Sequence, residues 1–170
     1  YIYPHLIYTL PIWGTHISNK TYIQPLHRTH KKIIRLICNR PPQTHTKPLM
    51  KQLKILNIFN LYIYRTSIDM HPHIHPPEET ISRPEHNHHY IKAKDIHSYP
   101  TRFSEKQSLY IPNQNQYSKR YTPKHTIQHS TEKFSHVWNT LPNDIRTIID
   151  ITKFKKTLAN HLQTIQDKQT

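Results

Sequence analysis

One glycine in 170 residues, set against 14 prolines, is the feature that most limits what this chain can fold into. Helix C-caps and many tight turns need a residue at positive φ, which glycine adopts without steric cost and other residues adopt only at a penalty. With Gly14 alone available, Asn, Pro and His have to punctuate the fold. The apolar fraction, 34%, is low even allowing that the usual figure of about 45–50% counts glycine, so any core is small. At this length one ordinary domain is the ceiling. The surplus of Ile, Lys, Asn, His, Thr and Tyr fits the codon usage of an AT-rich genome.

The formal net charge of +14 is unevenly spread. Ten lysines and arginines, from Lys20 to Arg65, precede the first acidic residue, Asp69. An acid-free basic stretch concentrates positive potential, and its usual partners are nucleic acid and anionic membrane surface. Sixteen histidines strengthen that field as pH falls. A single cysteine, Cys38, excludes an intrachain disulfide and a Cys-rich zinc site and favours a reducing compartment. The apolar opening "YIYPHLIYTLPIW" lacks a basic n-region and a small-residue cleavage site, and Pro4 and Pro11 interrupt it. It is also shorter than the about 20 apolar residues of a bilayer span. The expected location is therefore intracellular, nuclear or cytoplasmic, with neither secretion nor membrane attachment. A start at Tyr1 reads as a fragment of a longer protein.

Periodicity predicts helices. From residue 20, Ile23, Leu26, His30, Ile33, Ile34 and Ile37 repeat at the spacing of one helical face, with Arg28, Lys31, Lys32 and Arg35 on the remainder. Pro25 falls near the first turn of this basic amphipathic helix, and Pro41-Pro42 end it. A short helix over 48 to about 54 presents Leu49 and Leu53. Asn57 then caps a helix from 58 to about 70 that is apolar on several sides. Residues 71–98, rich in Pro and His and without either period, read as a loop or disordered linker. Short extended pieces are expected at 108–111 and 117–122. A further helix, starting at Thr126 or Ser130, carries Ile127, Phe134, Val137, Trp138 and Leu141. Ile151, Phe154, Leu158, Leu162 and Ile165 line the last, capped by Asp150 or Thr152. The predicted fold class is mainly α: a small irregular helical bundle with a long Pro/His-rich loop and two short strands. Its expected organisation is a basic helical segment over 1–70, the linker over 71–98 and a C-terminal helical segment over 99–170.

The stretch "HVWNTLPNDIR", residues 136–146, reads as a hinge with a packed anchor. Trp138 is the last large apolar group of one helix, Asn139 suits a helix terminus, and Pro142 prevents continuation. Asn143 is expected to cap the next short helix, with Asp144 in its first turn. Burial of Trp138 is worth a few kcal/mol, and nothing beside it can serve as nucleophile or base.

Catalytic chemistry is not legible. Joining nucleotides with two metal ions takes clustered carboxylates, and the five aspartates, at 69, 95, 144, 150 and 167, are all isolated in sequence. Glu78-Glu79, after Pro76-Pro77, reads as a solvated loop. The tracts His71, His73, His75 and His86, His88, His89 suit adventitious uptake of Zn, Ni or Cu. Neither has cysteine support or the helical His-Glu-x-x-His pattern, so no specific metal site is assigned. Cys38 is read as a small core residue. What remains is phosphate chemistry: Arg28, Lys31, Lys32 and Arg35 on a helix face, Arg40, Lys47, Lys51 and Lys54 just beyond it, and Arg102 and Lys106 after the linker. Tyr and His are available for stacking on bases, giving sequence-tolerant contacts.

Taken in order, "IWG" with Trp13, "HKKIIRLIC", "HTKPLMKQLKILNIFNLY", "SYPTRFS", "VWNTLPNDIR" with Trp138, Asn139, Leu141 and Pro142, and "FKKTL" with Phe154 span nearly the whole chain. This series resembles the carboxy-terminal region of reverse transcriptases encoded by non-LTR (LINE-type, jockey-like) retrotransposons. Where that family often has a glycine before its Trp-Asn pair, Ser135, His136 and Val137 stand here. The resemblance implies a thumb and following segment of an RNA-directed DNA polymerase, inactive alone, contributing template and primer backbone binding. It further implies an upstream polymerase domain in cis and Mg for that parent polymerase, with no cofactor in the fragment itself. Two other readings stay open: a degenerate retroelement relic with no selected function, and an independent basic binding module.

Overall fold

The computed structural model describes residues 8, 10–11, 20–76, 90–96, 99, 108–111 and 124–168, with 20–22 and 124–131 as backbone only. Seven helices account for most of them: α1, Lys20–Ile37; α2, Thr46–Leu53; α3, Ile58–Ile74; α4, Ala93–Ile96; α5, Lys124–Thr140; α6, Asn143–Arg146; and α7, Ile151–Lys168. The fold is mainly α, as the periodicity predicts. The extended piece expected at 108–111 supplies only an isolated antiparallel bridge, Leu109 to Lys92, and the described residues contain no strand. The piece at 117–122 lies outside the described residues. The chain divides into two compact units, one of Tyr1–Arg65 with Lys155–Thr170 and one of Thr66–Phe154.

In the first unit, α1 buries Ile23, His30 and Ile34, at spacings of seven and four, while Arg28 and Lys32 are exposed on the opposite side. Ile34 packs with Leu49 and Met50 of α2, and Cys38, Leu53 and Ile55 flank them. Ile37 does not join this core as expected and is 61% exposed. Cys38, four residues after Ile34, occupies the position on the core side instead. Pro25 is the sixth residue of α1, not a first-turn residue; it sits on the exposed side, and its carbonyl accepts the Thr29 hydroxyl at 3.0 Å.

The shortage of glycine is visible at the helix ends. α1 closes before Pro41, with Asn39 at φ 49, the amide of Asn39 bonded to Leu36 and that of Arg40 to Arg35. These paired bonds, reaching back three and five residues, form a Schellman cap, with asparagine at the left-handed position. α2 ends the same way on Lys54, at φ 53, with Ile55 reaching back to Met50. Neither Asn nor Pro nor His serves there. A lysine in this conformation costs about 1 kcal/mol relative to glycine.

Asn57 caps α3 as expected: its Oδ1 accepts the amides of Phe59 at 3.0 Å and Asn60 at 2.9 Å. The Gln166 side chain of α7 accepts the Asn57 amide at 2.7 Å and donates to the Ile55 carbonyl at 3.1 Å, while Asn60 Nδ2 donates to the Leu162 carbonyl. These amides satisfy loop and helix-terminal groups in place of water.

The second unit corrects the start of the expected linker. α3 runs to Ile74, through Pro72, because His71 and Ile74 are buried and His71 Nε2 donates to the Ile148 carbonyl at 2.8 Å. Tertiary packing here overrides a proline that removes one helical donor. Trp138 is fully buried and stacked on Phe154, with ring centroids 5.7 Å apart, and the His71 ring lies 4.5 Å from Phe154. Leu141 and Ile145 are buried in the same unit. Asn139 does not mark a left-handed terminus; it is helical, and its amide side chain accepts from Leu109 N at 2.8 Å and donates to Leu109 O at 2.9 Å. Asn143 is likewise the first residue of α6, whose cap position is Pro142 with no side-chain cap bond. Asp150 caps α7, accepting the Thr152 amide at 2.7 Å.

Candidate nucleic-acid interface

Arg28, Lys31, Lys32 and Arg35 fall at i, i+3, i+4 and i+7 of α1, so helical geometry alone gathers them into one stripe. Arg28 and Lys32 are exposed; Lys31 and Arg35 are half-buried, and Arg35 donates its Nε to the Thr44 carbonyl at 2.8 Å. Arg35 thus holds the loop after α1 as well as contributing charge. Arg40 is exposed in the loop before α2, Lys47 and Lys51 on α2, and Lys54 at its C-terminal cap. Arg102, Lys106 and Trp13 lie outside the described residues, as do Glu78-Glu79 and His86, His88 and His89.

Periodicity alone does not reveal that this unit also contains a groove of about 510 Å³. Lys31 of α1 and Lys47 and Lys51 of α2 supply its cations, His27 and Phe59 its rings, and Asn57 and Gln166 its amides. Its one carboxylate, Asp167, pairs with Lys51 at 3.8 Å. That pair is exposed on the lysine side and contributes under about 1 kcal/mol, so an anion of higher charge can displace it. The rings of His27 and Phe59 are 5.3 Å apart and tilted by 52°. Burial, and then the charge of Lys31, hold the His27 pKa below 6.5, so its ring is neutral at neutral pH. His30, buried behind the stripe, is held down by burial and by His27.

The second unit exposes Lys94 and Lys153 but, among its described residues, buries one cation. Arg146, 4% exposed, donates Nη1 to Ser108 Oγ at 2.8 Å, and no ion pair reaches it among the described residues. Burial lowers its pKa, though a guanidinium stays charged at neutral pH. Its carbonyl accepts His75 Nε2 at 2.8 Å. Burial lowers the His75 pKa, that hydrogen bond partly offsets the shift, and the charges of His71 and Lys92 add to it. The i, i+4 spacing of His71 and His75 is visible in the sequence, but their roles as donors to loop carbonyls are not. The six expected motif residues divide cleanly: Trp138, Leu141 and Phe154 are core, Asn139 ties down Leu109, Pro142 holds the cap position of α6, and Trp13 lies outside the described residues.

Among the described residues no group of three His, Cys, Asp or Glu side chains could hold a metal ion, and no helix is long and apolar enough to cross a membrane. Comparison of the chain with protein-family models, with curated proteins and with solved structures finds no match.

Proposed function

We propose that this chain is a non-catalytic, nucleic-acid-gripping segment of an RNA-directed DNA polymerase of the non-LTR retrotransposon kind. It holds the template–primer duplex by its phosphates while the catalytic carboxylates and their Mg reside upstream in the parent polymerase. The observation that carries the binding half of this reading is the α1 stripe, with Arg28 and Lys32 exposed opposite a buried Ile23, His30 and Ile34 and no acid in sequence before Asp69. Such a surface favours a polyanion with regularly spaced charges, because neutralised phosphates release condensed counterions. The parentage half rests on the ordered sequence resemblance. Isolated aspartates support a chain that binds without polymerising. The setting expected for such a segment is intracellular, nuclear or cytoplasmic.

The test is fluorescence anisotropy with a labelled RNA–DNA duplex at low salt, comparing the full chain with Arg28→Glu/Lys32→Glu. The expected result is binding by the natural chain and a loss of ten-fold or more, on the order of two phosphate contacts, in the variant. A folded chain that leaves the duplex unbound at low salt contradicts the proposal. Primer extension with the full chain is expected to give no product.

A further inference from the structure

The groove beside the stripe differs from the stripe in having a hollow, rings and amides. Its volume, about 510 Å³, is that of a small-molecule site and too confined for a duplex, whose bases are stacked inside. Phe59 stands at its wall with 36% of its surface exposed, although it is a large apolar residue two positions into α3. Asn57 places its Oδ1 on the Phe59 and Asn60 amides, and its Nδ2 has no partner among the described residues. Lys31 and Lys51 sit at the same groove, within the acid-free run of the sequence.

From this geometry we infer that the groove takes one unstacked nucleotide of a single strand: the base against Phe59 and His27, its edge toward Asn57 Nδ2, and its phosphate on Lys31 and Lys51. A ring platform accepts any base because every base has a π-face, while the lysines follow the backbone. The neutral state of His27 suits it to stacking. Asp167, moved off Lys51 by the phosphate, leaves the lysine to the ligand. RNA and DNA present the same two elements, base and phosphate, and the groove as described has no feature reserved for a 2′-hydroxyl. This inference rests on the nucleic-acid reading above but assigns a second, single-strand subsite that shares Lys31 with the duplex-facing stripe and differs from it in Phe59, His27 and Asn57.

Anisotropy titrations of the full chain with oligo-U, oligo-dT, an abasic phosphodiester oligomer of equal length and an RNA–DNA duplex test it. The expected result is tighter binding of oligo-U and oligo-dT than of the abasic strand. Phe59→Ala is expected to remove that difference, on the order of ten-fold, while leaving duplex affinity unchanged. Equal affinity of the natural chain for abasic and base-bearing strands overturns the subsite, whatever the variant does. So does a Phe59→Ala loss shared equally by duplex and single strand. If duplex binding persists in either case, the broader proposal survives; if nothing binds at low salt, both fall.

Discussion

The two units differ in which ionisable groups they bury. The first turns Arg28, Lys32, Arg40, Lys47, Lys51 and Lys54 toward solvent and buries His30; the second exposes Lys94 and Lys153, half-buries His75 and Lys92, and buries His71 and, alone among the described arginines, Arg146. The same basic, glycine-poor composition therefore does two jobs. With few apolar side chains available, the second unit uses polar side chains to satisfy loop backbone, through Asn139 on Leu109, His71 on Ile148 and His75 on Arg146. The first unit has a cluster of Ile34, Leu49 and Met50 and leaves most of its described lysines and arginines exposed. Substitutions in the second unit should therefore act on stability, and substitutions on the α1 stripe on binding.

The sharpest way to break that division is Trp138→Ala, expected to cost about 3–5 kcal/mol in denaturant unfolding. Trp138→Phe should cost much less, because the buried indole Nε1 has no acceptor among the described residues to lose. A small effect of the alanine variant would mean that the Trp138–Phe154 stack is not the anchor of its unit. Next in size is Asn139→Ala, which leaves both backbone groups of Leu109 without their partner; a loss of about 2–3 kcal/mol is expected, again by denaturant unfolding.

Acid acts on both units. His75, His27 and His30 all have pKa values lowered below 6.5 by burial, so in the window just below that value the unfolded chain binds more protons than the folded one. Their contribution is complete above about pH 6.5 and is lost as pH falls toward their folded values. Thermal melts should show the midpoint falling from about pH 7 to about pH 5. His75→Gln, which keeps a donor for the Arg146 carbonyl, should flatten that dependence; a midpoint that rises on acidification contradicts it. Smallest of all, Lys54→Gly should stabilise the first unit by about 1 kcal/mol, read as a rise in unfolding midpoint, because Lys54 is held at φ 53.

The comparison also shows what a sequence can reveal. The stripes of α1 and α7, the Asn57 and Asp150 caps and the burial of Trp138 follow from spacing and local capping chemistry, which act over one or two turns. The cation stripe was legible for the same reason. The continuation of α3 through Pro72 was not, because it depends on Ile148 and Arg146, more than seventy residues away. Nor was the groove, whose Lys31, Phe59 and Asp167 come from three helices. Asn139 does lie in the last turn of its helix, as its local preference suggests, but its pairing with Leu109, thirty residues away, is not legible from local chemistry. Lys54 at a left-handed position breaks the local rule outright, since a chain with one glycine had to place something there.

The claim on which the account depends is that the acid-free surface of the first unit holds a phosphate polymer. The salt dependence of RNA–DNA duplex binding tests it most directly. The account predicts that log affinity falls linearly with log salt at about −0.9 per phosphate neutralised, and that Arg28→Gln/Lys32→Gln shallows the slope by about 2. A slope near zero, or one unchanged in that variant, would contradict it.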